Sequence, residues 1–249
     1  TGLPQFENFI VFEVASGIST NVFRLVNQEI EYYLRIAPEG ENISTEALIH
    51  VLAAQTGVLV PSCIYYEDFN SNLSRSFMVT SKIVGQPVIE RPRENSAIVA
   101  AAGKDLARLH SIKIGGFGWF DVKTPHCKKL TGAFSSYIEF IFNGLNILDR
   151  ISVLKEKEVL SKDVSDKIHA FILDSAEKLD FTQAALSHSD LNNEHIFFNG
   201  ESYSGLIDFG DACAMSTYHD LAKYFLNEPE DYRALLQGYL EINPLPAGY

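Results

Sequence analysis

The chain has 249 residues, 46% of them apolar, which is enough for one large or two modest domains around a substantial core. A formal net charge of −12 argues against a nucleic-acid backbone or an anionic membrane as partner and suits a cationic small molecule. No apolar run reaches membrane-spanning length, and Cys63, Cys127 and Cys213 are too scattered for a disulfide framework or a metal knuckle, which points to a reducing cytoplasm.

In chain order, Phe9–Val14 and Val22–Leu25 are short β-prone runs separated by Ala15-Ser16-Gly17-Ile18-Ser19-Thr20-Asn21. A Gly/Ser turn of this kind between two strands can set backbone N–H groups against phosphate oxygens, although a single-glycine hairpin needs no ligand. A third strand is expected at Glu31–Ile36 after the turn-prone Asn27-Gln28. Ser44-Thr45-Glu46 opens a helix with Ala47, Leu48, Val51 and Leu52 at helical spacing. Further strands are expected at Val58–Val60, Cys63–Tyr66 and Ser76–Thr80, giving an antiparallel sheet of about five strands.

The second part starts near a hinge at Lys82–Val88. Ser96–Ser111 reads as a long helix, with His110 at its end as a core or helix-end side chain. The Gly- and aromatic-rich stretch holding Trp119 and Phe120 reads as a loop with its own small core, ahead of a helix over Ser135–Leu148. Lys155–Leu179 supplies one or two charged, solvated helices with Ile168, Phe171, Ile172 and Ala176 turned inward.

Most of the chemistry lies between Leu186 and Asp211, in LSHSDLNNEHIFFNGESYSGLIDFGD. Ile196–Phe198 and Gly205–Ile207 flank Asn199-Gly200, a turn dipeptide, so the stretch reads as a β-hairpin. Asp190 then precedes the first strand, His195 adjoins it, and Asp208 follows the second. Two carboxylates and an imidazole therefore meet at the open end of one hairpin, a set that suits a hard divalent cation with one carboxylate left to act as a base.

The order His188-Ser189-Asp190, His195, Asp208-Phe209-Gly210 parallels the H-R-D-x-x-x-x-N and D-F-G motifs of protein kinases. The longer form HSDLNNEHIFF, GLIDFGDA and HDLA resembles the aminoglycoside phosphotransferase family of antibiotic and small-molecule kinases. His195 stands where most of that family has Asn, a departure similar to the 2''-aminoglycoside and macrolide phosphotransferase branches. The resemblance covers most of the chain in motif order and is specific over 186–222.

The resemblance implies an α+β, bilobal, protein-kinase-like fold: an N-terminal antiparallel sheet with a helix at residues 1–84, and a mostly helical lobe with a catalytic β-hairpin at 85–249. It implies transfer of the γ-phosphoryl of ATP or GTP to a hydroxyl of a small molecule, with Asp190 orienting the hydroxyl and His195 and Asp208 holding Mg²⁺. Ser16, Gly17, Ser19 and Thr20 become neighbours of the phosphates, Arg35 their cationic partner and Glu46 the partner of Arg35. Glu46 alone is equally a helix-start carboxylate. Thr80, Ser81 and Ile83 line the nucleotide pocket. His188, Asp211 and Asp220 support the site, Asp220 doubling as a helix N-cap.

Glu228, Glu230 and Asp231 match carboxylates that receive the amino groups of substrates in this family, and they also suit an acidic helix start at Pro229. Family members continue beyond the equivalent of Tyr249 into helices that complete the acceptor wall. The expectation is a cytoplasmic, monomeric aminoglycoside kinase. The alternatives are a macrolide kinase, a metabolic kinase for a sugar, amino alcohol or homoserine-like acceptor, and a pseudokinase-like module that binds nucleotide without turnover.

Overall fold

A computed structural model describes residues 3–14, 20–90, 96–120, 129–179 and 182–245. Among them, no helix is long and apolar enough to cross a membrane. The first lobe is an antiparallel sheet built from β1 (Ile10–Glu13), β2 (Asn21–Asn27), β3 (Ile30–Ile36), β4 (Cys63–Asn70) and β5 (Arg75–Ser81), in the order β1-β2-β3-β5-β4. The β2–β3 connection turns through Gln28 at a φ of 54°. Helix α1 (Ser44–Gln55) crosses from β3 to β4 and packs on the sheet, burying Ala47 and Met78 in one cluster with Ile43. The other face of the sheet covers Leu25, Leu34, Phe77 and Val79. With cover on both faces, β5 is buried continuously from Ser76 to Thr80 rather than at every second residue.

Val58–Val60, expected as a strand, has no strand pairing of its own. It is the strap on which the two lobes meet. Leu59 N–H donates to Asp105 Oδ2 at 2.8 Å, and Leu59 C=O accepts from Leu206 N–H at 2.8 Å. The second crossing, β6 (Gln86–Pro87), pairs with the hairpin described below through Phe197 and Phe198. Gly85, at a φ of 106°, leaves no room for a side chain there: a Cβ would stand 1.9 Å from Phe198 O.

The second lobe continues with α2 (Ser96–Leu109), β7 (Lys113–Ile114), β8 (Phe117–Phe120), β9 (Gly132–Phe134), α3 (Tyr137–Glu139), a π-turn at Phe140–Gly144, α4 (Ile147–Glu156) and α5 (Lys162–Ser175). It ends with β10 (Ala184–Ser187), β11 (Ile196–Asn199), β12 (Ser202–Leu206), β13 (Cys213–Met215), α6 (Tyr218–Asn227) and α7 (Tyr232–Leu240). Three expectations need correction. The Gly- and aromatic-rich stretch from Gly115, read as a loop, supplies β8 of a second small sheet, ordered β7-β10-β13-β8-β9. The single helix expected over Ser135–Leu148 is broken, because Asn146 takes a left-handed φ of 49° and starts α4 afresh. Phe171, expected inside, is 70% exposed.

The main core lies in the second lobe, where Leu106, Leu109, Leu186, Leu191, Ile196, Leu206, Phe209, Tyr224, Leu235 and Tyr239 are almost fully buried. It backs the hairpin and fixes the loop before it.

Candidate active site

The hairpin forms as its turn dipeptide and apolar runs require. Ile196 pairs with Leu206 and Asn199 with Ser202, with an irregularity after Phe197, and Gly200 takes a φ of 63° in the turn. Asp190, His195 and Asp208 meet at its open end. His195 Nδ1 lies 2.7 Å from Asp190 O, and because a carbonyl only accepts, Nδ1 carries the proton of the neutral ring. The lone pair is then on Nε2, which stands 3.7 Å from Asp208 Oδ2. The other oxygen of Asp208 accepts from Arg35 Nη2 at 3.0 Å. Burial works against the charge on Asp208, but the charge and hydrogen bond of Arg35, together with His195 and His188, hold its carboxyl below the usual range.

Arg35 in turn meets Glu46 Oε1 through Nη1 at 2.8 Å, so one guanidinium joins β3, α1 and the segment after the hairpin. Burial pushes Glu46 up to about 6 against the pull of Arg35, which still leaves it ionised at neutral pH. His50, one turn further along α1, is a neighbour that sequence reading passed over. Its Nδ1 donates to Pro61 O at 2.7 Å, its ring meets Phe209 edge-on at 5.3 Å, and burial pulls it down to about 4.

The loop before the hairpin is held from behind. Asp220, buried at the start of α6, accepts from the amides of His188 and Ser189 at 2.9 and 2.7 Å and pairs with His110 Nε2 at 2.8 Å. His110 is therefore the core histidine expected from its place at the end of α2. His188 donates from Nε2 to Ile207 O at 2.9 Å, which ties the loop to the strand leading into Asp208, and burial pulls its pKa down. Ser189 and Asp208 both take left-handed φ values, 65° and 66°. Non-glycine residues keep such values where surrounding contacts impose them, and these are common at functional sites.

Two cavities flank this constellation. One, of about 370 Å³, runs between the lobes: Val22 above and Phe197 and Ile207 below form an apolar slot, Thr80 and Ile83 line its rear, and Arg35 and Asp208 close its inner end. Thr20 lines it too, whereas Ser16, Gly17 and Ser19 lie outside the described residues. Ser81 also lines the slot, but its N–H is used by Ser62 O at 2.9 Å, inside the sheet. The other, of about 400 Å³, opens on the far side of the Arg35–Glu46 pair, with Trp119 and the exposed Asp211 on its wall.

The acidic cluster stands further off, beyond the loop. Glu228 and Asp231 both accept from Asn193 Nδ2, at 2.9 and 2.8 Å, and Tyr224 OH donates to Asn193 Oδ1 at 2.8 Å. With Glu230 they border a cavity of about 620 Å³. Two of the three expected amine receivers thus also hold the loop through Asn193. Lys223 was also missed: its Nζ donates to Ser189 O and lies 3.3 Å from Asp190 Oδ1. Its signal in the sequence is its position three residues after Asp220, on the same face of a helix.

A divalent ion fits this set in one way. Among the described residues no three His, Cys, Asp or Glu side chains converge on a point. His195 and Asp208 do face each other with a free imidazole lone pair and a carboxylate oxygen. Two protein ligands suit Mg²⁺, which completes its shell with water and substrate phosphates rather than with an all-protein cage.

A search of curated proteins finds no match to this chain. Structural likeness is broad. A thermostable mutant of aminoglycoside phosphotransferase APH(4)-Ia, solved with ADP and hygromycin B, is similar at 14% identity with a TM-score of 0.70, over 95% of this chain and 79% of that one. Macrolide 2'-phosphotransferase MphH from Brachybacterium faecium is similar at 15% identity with a TM-score of 0.65, over 95% and 78%. An aminoglycoside-3'-phosphotransferase of type VIII is similar at 17% identity with a TM-score of 0.57, over 96% and 88%. At these identities the likeness is one of fold. The model of the phosphotransferase enzyme family matches residues 11–249, and the chain belongs to that family of enzymes, which pass a phosphoryl group to hydroxyls.

Proposed function

We propose that this protein transfers the γ-phosphoryl group of ATP or GTP to a hydroxyl of a small, amino-bearing molecule of the aminoglycoside class. The observation that carries the reading is the meeting of Asp190 and His195 with Asp208, the carboxylate that together with Arg35 closes the inner end of an apolar slot. A purine fits between Val22 and Ile207, which directs its phosphates toward Arg35 and Asp208. Residues 1–84 then carry the nucleotide and 85–249 the acceptor.

Mg²⁺ held by His195 and Asp208 supplies charge neutralisation at the phosphates. Asp190 accepts a hydrogen bond from the acceptor hydroxyl and aims its oxygen at the γ-phosphorus. As the new O–P bond forms and the bond to the β–γ bridging oxygen breaks, the hydroxyl proton passes to the Asp190 carboxylate and the nucleoside diphosphate leaves. The transition state is loose, so alignment counts for more than basicity.

The net charge of −12 and the carboxylates at Glu228, Glu230 and Asp231 favour a cationic acceptor. A second reading, a macrolide or metabolite alcohol without an ammonium beside the reacting hydroxyl, is favoured by the Lys223 cation 3.3 Å from Asp190 Oδ1. Nucleotide consumption measured with Mg²⁺ over aminoglycosides, macrolides and metabolite alcohols separates them. Stimulation by aminoglycosides alone supports the first reading, stimulation by neutral alcohols or macrolides the second, and no stimulation by any class contradicts both.

Arg35 depends on Glu46 for its orientation, so nucleotide binding is expected to weaken severalfold as pH falls from 7 through about 6, where the Glu46 carboxylate takes up a proton. In Glu46→Gln the affinity starts lower and loses this dependence. Calorimetric titration with a non-hydrolysable nucleotide at several pH values checks it, and an unchanged pH profile in the variant contradicts the coupling.

A further inference from the structure

Helix α6 grips the loop before the hairpin at two points one turn apart. Asp220 accepts the amides of His188 and Ser189. Three residues on, the Lys223 ammonium donates to the Ser189 carbonyl and reaches Asp190 Oδ1 at 3.3 Å. Both backbone polar groups of Ser189 are thus held by the same helix. Ser189 is also the residue in left-handed conformation, at a φ of 65°. A non-glycine residue keeps that conformation where its surroundings impose it, and here α6 supplies the restraint on both sides of the residue.

The consequence falls on Asp190, the next residue. One of its oxygens is taken by Lys223, while Oδ2 lies on the other side, 3.7 Å from His195 Nδ1. A carboxylate on a short side chain can turn about its last bond. A cation fixed at Oδ1, and fixed again by the carbonyl one residue back, removes that freedom. Lysine suits the task because its ammonium carries three donors and can serve carbonyl and carboxylate together.

We propose that Lys223 is a positioning residue, which locks the Asp190 carboxylate through Oδ1 and the Ser189 carbonyl so that Oδ2 is presented to the acceptor hydroxyl. The inference rests on the reading of Asp190 as the group that orients that hydroxyl. It assigns the lysine no contact with the nucleotide, and its effect belongs to the transfer step.

The test compares wild type with Lys223→Met, which keeps the stem and removes the charge, and with Lys223→Arg. With the acceptor that stimulates wild-type turnover, Lys223→Met is expected to lower kcat roughly 10- to 100-fold, the loss that a small misalignment of a reacting group brings. KM for the nucleotide and the melting temperature stay at wild-type values, and Lys223→Arg recovers most of kcat. Wild-type kcat in Lys223→Met overturns the proposal, as does a loss that follows a lowered melting temperature and is not recovered by arginine. Crystal structures of wild type and Lys223→Met decide the geometry without any acceptor: a turned or displaced Asp190 carboxylate supports the lock, and an unmoved one overturns it. A wild type that no acceptor stimulates sinks the reading of Asp190 instead, and the crystal comparison still decides the role of Lys223.

Discussion

Asp190→Ala is expected to lower kcat by roughly 10²- to 10⁴-fold, the range for removal of a positioned acid or base group. Asp190 does not line the nucleotide slot, so nucleotide affinity is expected to stay near wild type. The split has a physical cause. In the proposed mechanism the carboxylate touches the acceptor hydroxyl and not the nucleotide, so its loss is expected in the transfer step and not in nucleotide binding. Asp190→Asn restores the shape but not the charge, and is expected to recover little. Steady-state kinetics with the stimulating acceptor, beside nucleotide binding by calorimetry, measure the two quantities separately. Near-normal kcat in Asp190→Ala contradicts the assignment.

The second large effect is on stability. Asp220 is buried and satisfies the amides of His188 and Ser189 together with His110 Nε2, and His110 passes the contact on to Tyr239 OH at 3.0 Å. Replacing this buried carboxylate weakens or strands all three donors, so Asp220→Asn is expected to cost about 3–5 kcal/mol. For a chain of this size that lowers the melting temperature by roughly 10 °C.

The same group sets an acid limit. Burial opposes its charge, but the hydrogen bond and charge of His110, with His219 and His188 nearby, hold its carboxyl well below the usual range. A depressed carboxyl stabilises the fold fully above its unfolded value of about 3.9 and loses that contribution as pH falls toward the folded value. Below about pH 4 the stability of wild type is therefore expected to fall toward that of Asp220→Asn. Chemical denaturation of both proteins across pH checks this, and a constant gap between them down to the lowest pH contradicts it.

What could be read from the sequence followed local chemistry. The β11–β12 hairpin was legible because Asn199-Gly200 and the apolar runs on either side agree on one structure, and the motif residues sit at its open end. Arg35 and Glu46 were legible as a pair only through the resemblance; nothing local says that a strand arginine and a helix-start carboxylate meet. Val58–Val60 looked like a strand because its composition is β-prone, but the backbone of Leu59 is spent on Asp105 and Leu206, partners 46 or more residues away. Such tertiary contacts override propensity. The break at Asn146 had a local sign in Asn143-Gly144, a turn dipeptide inside an apolar stretch. The contacts of Asn193 and Lys223 were hidden because each depends on the loop lying against α6; for Lys223 the helical spacing from Asp220 gave the face but not the partner.

The proposed activity is defined by where the phosphoryl group goes. Phosphorus NMR of a reaction holding wild type, nucleoside triphosphate, Mg²⁺ and the stimulating acceptor measures this directly. A phosphate-monoester signal from the acceptor is expected to grow with nucleoside diphosphate and to be nearly absent with Asp190→Ala. Nucleoside diphosphate matched only by inorganic phosphate, with no ester on any acceptor, would contradict the proposed activity.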